Sequence, residues 1–176
     1  MIDPPRPPAD PKRWTWVIQN PCPECGFDPA EIIPEQLADH LRRTATRSDE
    51  VLARPGTRVR PTEIVWSPPE YAVHVRDVYR IFADRARLML VESRPSFANW
   101  DQNATAVEER YWEADPADVA IDIRDNSARA AAVFASVSAE QWERVGQRSH
   151  GSMFTVRTLG VYVLHDLVHH LHDVGG

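Results

Sequence analysis

The sequence lacks the features that mark several large classes of protein. No apolar run approaches the roughly 20 residues that a membrane span needs. The N-terminal stretch MIDPPRPPADPKRW has no apolar segment of the kind found in a secretory signal. We therefore expect a cytoplasmic protein without a membrane partner. Cysteine occurs only at Cys22 and Cys25, and in a reducing compartment such a pair is more typical of free thiols or metal ligands than of a structural disulfide.

Lysine is also nearly absent. Lys12 stands beside 19 arginines, a bias that indicates the codon usage of a GC-rich genome. Acidic residues outnumber basic ones, and the formal net charge is −6. A charge of this sign argues against a nucleic-acid partner held by bulk electrostatics.

The 176 residues fit one domain preceded by an irregular extension. Five prolines among residues 1–13 predict an extended, mobile arm. The aromatic stretch that follows, which ends in CPECGF, is expected to pack onto the domain as a short irregular cover. Residues 1–27 are thus assigned to the arm and the C-x-x-C segment, and residues 28–176 to the domain.

Four long helices are predicted from apolar spacing between capping signals. The first starts after Asp28 or at Pro34 and stops at Pro55–Gly56, and the second runs from a Ser67 cap to Arg94–Pro95. The third follows Asp115, the fourth follows Thr155, and a short helix is expected near Asn103 or Thr105. Strand-like alternation occurs only weakly, at TRVRPTEIVW and at residues 14–19. The pattern favours an all-α four-helix bundle.

The last predicted helix contains VLHDLVHHLHD, which has four of the seven histidines. His165 and His169 lie one turn apart on one face, His172 continues that row, and His170 points about 100° aside. The second helix adds His74 between two valines. A histidine on an apolar face is usually a hydrogen-bonded core residue, but two inward-facing helices carrying three imidazoles favour a metal site.

At these residues the chain resembles the DinB/YfiT-like superfamily of bacterial four-helix bundles. The resemblance rests on a histidine in the second helix, in YAVHVRDV, and on HDLVH in the last, and it covers residues 28 to 174. HVRDVYRIF and NWDQNATAVEERY further resemble an actinobacterial subgroup. It implies a divalent ion, zinc or nickel, bound by His74, His165 and His169, and a homodimer. His172 replaces a glutamine common in that family, so it is a candidate fourth ligand or a hydrogen-bond partner of one.

The resemblance implies chemistry with a small-molecule thiol and an electrophile, such as a mycothiol-dependent S-transfer or isomerisation. A metal-dependent hydrolase and a non-enzymatic metal-binding or stress-response module remain alternatives. A hydrolase needs a base, and the carboxylates near the ligands are Glu70, Asp77 and Asp166. Glu70 and Asp77 are more typical of surface charges or of hydrogen-bond partners to an imidazole. Asp166 is expected to face outward or toward a neighbouring helix.

Three further features carry candidate sites. Cys22 and Cys25 resemble half of a zinc knuckle, with a redox pair and simple packing as alternatives. The other two ligands would come from His40, His150, a carboxylate or a second copy of the chain, unless a cysteine contacts the bundle's metal. Trp100 is a candidate for the pocket mouth, although simple packing of its loop is the favoured explanation. Arg157, two turns before His165, is a candidate cation for an anionic substrate.

Overall fold

The computed structural model describes residues 4–5, 7–8 and 12–176. Five α-helices dominate it: α1 (Leu37–Leu52), α2 (Pro68–Val91), α3 (Gln102–Glu108), α4 (Pro116–Ala135) and α5 (Val156–Asp173). The predicted all-α bundle is confirmed, and α3 is the short helix expected before α4. Much of the predicted arm lies outside the described residues.

The four long helices are not arranged in the order of the chain. α1 and α2 each pack along α4 and α5, whereas α1 makes little contact with α2. The pairs α1/α2 and α4/α5 therefore lie diagonally across the bundle, and α2 and α4 are neighbours. This arrangement brings α2 and α5, the two histidine-bearing helices, side by side.

Local sequence explains where most helices begin. Asp115 accepts a hydrogen bond from the Ala117 N–H (2.9 Å), and Thr155 Oγ1 accepts one from the Thr158 N–H (3.1 Å), as the capping signals predicted. The start of the first helix differs from the prediction. Two single 3-10 turns, Pro29–Glu31 and Pro34–Gln36, precede α1. Each proline begins a turn because its ring removes an N–H donor, and the α-helical ladder starts only at Leu37.

A small sheet was not predicted. Its strands are β1 (Ser96–Phe97), β2 (Val145–Arg148) and β3 (Met153–Thr155), with β2 in the middle, parallel to β1 and antiparallel to β3. Strands of two to four residues are too short to show an alternating pattern. The stretch TRVRPTEIVW forms no strand beyond one isolated bridge between Thr62 and Val65, so that prediction was wrong.

The aromatic segment before the bundle packs along α5. Trp14–Ile18 is a 3-10 helix, not the weak strand expected there, and it contacts α5. Val17, within this 3-10 helix, is fully buried. Within the described residues, no helix combines the length and apolar character required to cross a bilayer.

Candidate metal centre

Helix α5 carries two rows of candidate ligands that point in different directions. His165 and His169 form one row at i and i+4, and Asp166 and His170 form the other, rotated by one residue. One residue of an α-helix corresponds to about 100° of rotation. Consequently the first row meets the N-terminal segment, while the second meets α2.

The first row is part of a Cys–His cluster, defined as Cys22, Cys25, His165 and His169. One ligand atom from each residue lies within 4.8 Å of the other three. Cys22 Sγ is 3.8 Å from His169 Nδ1. Both cysteines are free thiols, and Nε2 of His165 is buried with no hydrogen-bond partner among the residues that the structure describes.

Burial controls protonation in this cluster. It lowers the pKa of His165 to about 4 and also lowers the pKa of His169, so both imidazoles are neutral at pH 7. Neutral imidazole is the state that binds metal. Burial likewise raises the pKa of the Cys25 thiol to about 11. A metal ion at this position would replace the thiol protons.

The second row is part of a His–Asp cluster, defined as His74, Asp166 and His170. Oδ1 of Asp166 lies 3.4 Å from Nε2 of His74 and 3.1 Å from Nε2 of His170. The other ring nitrogen of His170 is 2.9 Å from Oδ2 of Asp173. The other ring nitrogen of His74 is buried, and the described part of the chain offers it no hydrogen-bond partner. Two imidazoles thus converge on one carboxylate oxygen.

The two histidines of this cluster differ in charge. Burial lowers the pKa of His74, which is completely buried, and outweighs the opposing effect of Asp166. Burial also acts on His170, but hydrogen bonds to Asp166 and Asp173 overcome it and raise its pKa. The pKa of Asp166 is held well below its usual range by the same two histidines, although burial opposes this. The cluster therefore contains an ion pair, His170 with Asp166, beside a neutral imidazole.

A cavity of about 290 Å³ is lined by residues of both clusters. His165 and His169 come from the Cys–His cluster, and Asp166 and His170 from the His–Asp cluster. Its walls are largely aromatic, with two amides at one edge; the remaining lining residues are Pro7, Pro8, Trp14, Ile64, Val65, Trp66, Tyr71, Gln102, Asn103, Tyr162 and Asp173. A small organic molecule placed there would touch ligands of both clusters.

The three histidines predicted to share one ion are divided between the two clusters. Among the described residues, no group of ligand atoms within 4.8 Å contains His74 together with His165 and His169. The physical reason is the rotation of α5, which points His170 toward α2 and turns His165 away from it. Metal binding by each of the three stays a prediction.

Two carboxylates proposed to assist the ligands have other partners. Glu70 is buried at the start of α2, where it pairs with Arg60 and accepts hydrogen bonds from the Ser67 N–H (2.9 Å) and hydroxyl (2.7 Å). Asp77 is buried and accepts a hydrogen bond from the Tyr111 hydroxyl (2.5 Å) and others from Arg76. Glu70 therefore stabilises the start of α2, and Asp77 joins the side of α2 to Tyr111. Neither carboxylate belongs to one of the two clusters.

The remaining candidates are also placed by the structure. His172 is exposed on the last turn of α5, outside both clusters, and Arg157 is exposed and pairs with Glu143 (3.0 Å). Trp100 does not line the cavity, but its ring stacks on His74 with centroids 5.1 Å apart and planes 6° from parallel. It therefore holds a candidate ligand in position. His40 and His150 lie outside the Cys–His cluster, whose two imidazoles are those of His165 and His169.

Sequence reasoning passed over His170 and did not place Asp166 beside His74. The available signal was D-x-x-x-H at positions 166 and 170, a second pair at i and i+4 that overlaps the H-x-x-x-H pair. Both pairs satisfy helical spacing. Only the packing of α5 against α2 decides which of them faces His74.

Comparisons with known proteins agree with this architecture. The family model of the DinB superfamily matches residues 35–174, so the chain belongs to that superfamily. No curated protein matches the chain. One similar solved structure is YfiT from Bacillus subtilis, described as a probable metal-dependent hydrolase with an unusual four-helix bundle topology. It shares 18% identity over 85% of this chain and 91% of its own, with a TM-score of 0.71, and at that identity the likeness concerns the fold.

Proposed function

We propose that this DinB-superfamily protein is a metal-dependent hydrolase of a small molecule, and that the His–Asp cluster is its catalytic metal site. The carrying observation is the convergence of His74 Nε2 and His170 Nε2 on one oxygen of Asp166 beside the cavity. Three protein donors leave coordination positions for water and substrate, as in catalytic rather than structural sites.

The donor set fits a divalent ion. Two imidazoles and one carboxylate suit zinc or nickel. When bound, such an ion supplies Lewis acidity and lowers the pKa of a coordinated water or thiol. Nε2 of His170 would release the proton that it shares with Asp166, since a histidine ligand must be neutral, and this nitrogen, Nε2 of His74 and Asp166 would bind the ion.

Residues around the cluster orient the ligands. Asp173 accepts the hydrogen bond from Nδ1 of His170, so that Nε2 faces Asp166. A carboxylate bonded to the far nitrogen of an imidazole fixes the ring and makes it a stronger ligand. Trp100 orients the ligand on α2 in a similar way, because its stacked ring prevents the imidazole of His74 from turning.

The cavity determines the size and character of the substrate. Trp66 and Tyr71 provide an apolar wall, and Gln102 and Asn103 provide amides that donate and accept hydrogen bonds. A volume of about 290 Å³ accommodates a compact organic molecule rather than a polymer. The favoured substrate is a small ester or amide with an aromatic or aliphatic body.

Thiol transfer or isomerisation with mycothiol is the second candidate. Its support is the actinobacterial resemblance together with the aromatic wall, which suits the apolar body of a soft electrophile. In this alternative a low-molecular-weight thiol takes the position of water at the same cluster. The two candidates share a site and differ in the nucleophile.

The test compares metal content and turnover in protein purified without a histidine tag. Asp166→Asn is expected to lose the catalytic ion and its activity, and Asp173→Asn to lower activity about 10- to 100-fold by loosening His170. His172→Asn is the matched control, since His172 is an exposed histidine of the same helix. A panel of small esters and amides is assayed without thiol, and soft electrophiles are assayed with mycothiol.

The outcomes separate the candidates. Turnover of esters or amides without thiol supports the hydrolase. Thiol-dependent conjugation alone, with a sulfur-to-cobalt charge-transfer band on adding mycothiol to the cobalt-loaded Cys22→Ser/Cys25→Ser variant, would replace it by the transferase. If the loaded wild type turns over neither class, or if Asp166→Asn keeps both its ion and full activity, the proposed site is rejected.

A further inference from the structure

The Cys–His cluster contains more ligands than a catalytic ion needs. It brings two thiols and two imidazoles together from segments about 140 residues apart in the chain, with all four ligand atoms within 4.8 Å of one another. Four donors complete a tetrahedral shell and leave no position for water. A tetrahedral zinc ion needs its nitrogen and sulfur ligands about 3.3–3.8 Å apart, and Cys22 Sγ is 3.8 Å from His169 Nδ1.

The turn that carries the cysteines has the required shape without a metal. The Cys22 N–H donates to the Phe27 carbonyl (2.8 Å), and the Gly26 N–H donates to the Cys22 carbonyl (2.9 Å). Gly26 has φ +74°, a left-handed conformation that favours glycine. These contacts fold the backbone around the two thiols, so that both side chains face α5.

An unpaired nitrogen points independently to a missing ligand. His165 is 3% exposed, and within residues 4–5, 7–8 and 12–176 its Nε2 has no hydrogen-bond partner. Its ring is packed between Trp14 and Phe27, with centroids 5.3 and 5.5 Å away. A buried polar nitrogen in an aromatic setting is costly unless something binds it.

We propose that Cys22, Cys25, His165 and His169 bind one zinc ion in a closed, structural site that fastens the N-terminal segment to α5. On binding, the two thiols release their protons to solvent, and the two thiolates neutralise the 2+ charge. A neutral centre is compatible with the burial of Cys22, which is 1% exposed. Nε2 of His169 lies 3.7 Å from Oε2 of Glu24 and 3.9 Å from Oδ1 of Asp173, which leaves Nδ1, the nitrogen nearest to Cys22 Sγ, to bind the metal.

This site also shapes the substrate cavity. Trp14 packs on both His165 and His169 and forms part of the cavity wall. Since Trp14 lies in the segment that the zinc ion holds, loss of the ion releases that wall. The structural ion therefore supports the proposed catalytic site without taking part in its chemistry.

The test uses full-length protein in which Asp166→Asn has removed the proposed catalytic ion. This background is expected to retain one zinc per chain, and adding Cys22→Ser/Cys25→Ser is expected to lose it. His172→Asn in the same background is the control and should retain the zinc. Substitution with cobalt should give intense tetrahedral visible bands and a sulfur-to-cobalt charge-transfer band without any added thiol, both absent from the serine variant.

Two further measurements keep the test independent of folding defects. In the wild type, a mercurial that modifies both cysteines should release one zinc per chain. In the serine variant, amide hydrogen exchange should rise in residues 14–27 while α1 and α4 stay protected. Unchanged zinc content in the serine variant, or mercurial modification of both cysteines without zinc release, overturns the structural site. The proposed hydrolase fails separately, through the activity of Asp166→Asn.

Discussion

Removal of the proposed zinc ion with a chelator is expected to lower the melting temperature of the chain by about 8–16 °C. An ion that binds only the folded state stabilises it by mass action, by about 4 kcal/mol when free zinc is a thousandfold above the dissociation constant. For a chain of this size, each kcal/mol corresponds to roughly 2–4 °C. The Cys–His cluster accounts for most of the shift in melting temperature, because it joins Cys22 and Cys25 to helix α5, about 140 residues later in the chain.

Calorimetry with metal analysis of the same samples measures this shift. Restoring zinc should restore the melting temperature, which distinguishes ligand loss from irreversible damage. Cys22→Ser/Cys25→Ser should melt close to the chelated wild type and respond little to zinc, whereas His172→Asn should behave like the wild type. An unchanged melting temperature, with the metal shown to be gone, would identify the histidines as ordinary core residues.

Replacement of Arg60 by methionine is expected to lower the free energy of unfolding by about 3 kcal/mol. Glu70 is 2% exposed in its side chain and Arg60 14%, so the variant leaves a buried carboxylate without its counter-charge. The Ser67 N–H and hydroxyl still donate hydrogen bonds to that carboxylate. The expected loss of unfolding free energy is therefore at the lower end of the range for broken buried ion pairs. The melting temperature should fall by roughly 6–12 °C.

Two controls isolate the charge. Arg157→Met breaks the exposed pair with Glu143 and should change stability by less than about 1 kcal/mol. Arg60→Met/Glu70→Gln removes both charges and should recover most of the loss. Urea denaturation measures the free energy of unfolding of Arg60→Met and of both controls. A full-sized loss in the double variant would show that packing of Arg60, not its charge, supports the start of α2.

The same pair predicts a pH dependence. Burial raises the pKa of Glu70, but Arg60 and Ser67 outweigh it and hold the pKa below its ordinary value of 4.5. A depressed folded-state pKa stabilises the protein above the unfolded value, and that stability is lost as pH falls through the folded value. The difference in unfolding free energy between wild type and Arg60→Met should therefore shrink below about pH 4.5.

The helices were predictable because their signals are local. Caps at Ser67, Asp115 and Thr155 precede apolar residues at helical spacing, and the backbone responds to both within a few residues. The likeness of HDLVH to the DinB/YfiT-like pattern also identified the superfamily. The sheet was not predictable, since β1 pairs with a strand about 50 residues later and neither is long enough to show a period.

The sequence by itself determined that α5 carries candidate ligands one turn apart, because helical geometry relates any residues at i and i+4. Two such pairs overlap in HDLVHH, and the sequence does not distinguish them. Only the tertiary structure decided that His170 and Asp166 face His74, and that His165 and His169 face Cys22 and Cys25. The physical reason is that helix rotation is set by burial of the whole apolar face of α5 against α1 and α2. The ligand positions follow from that packing.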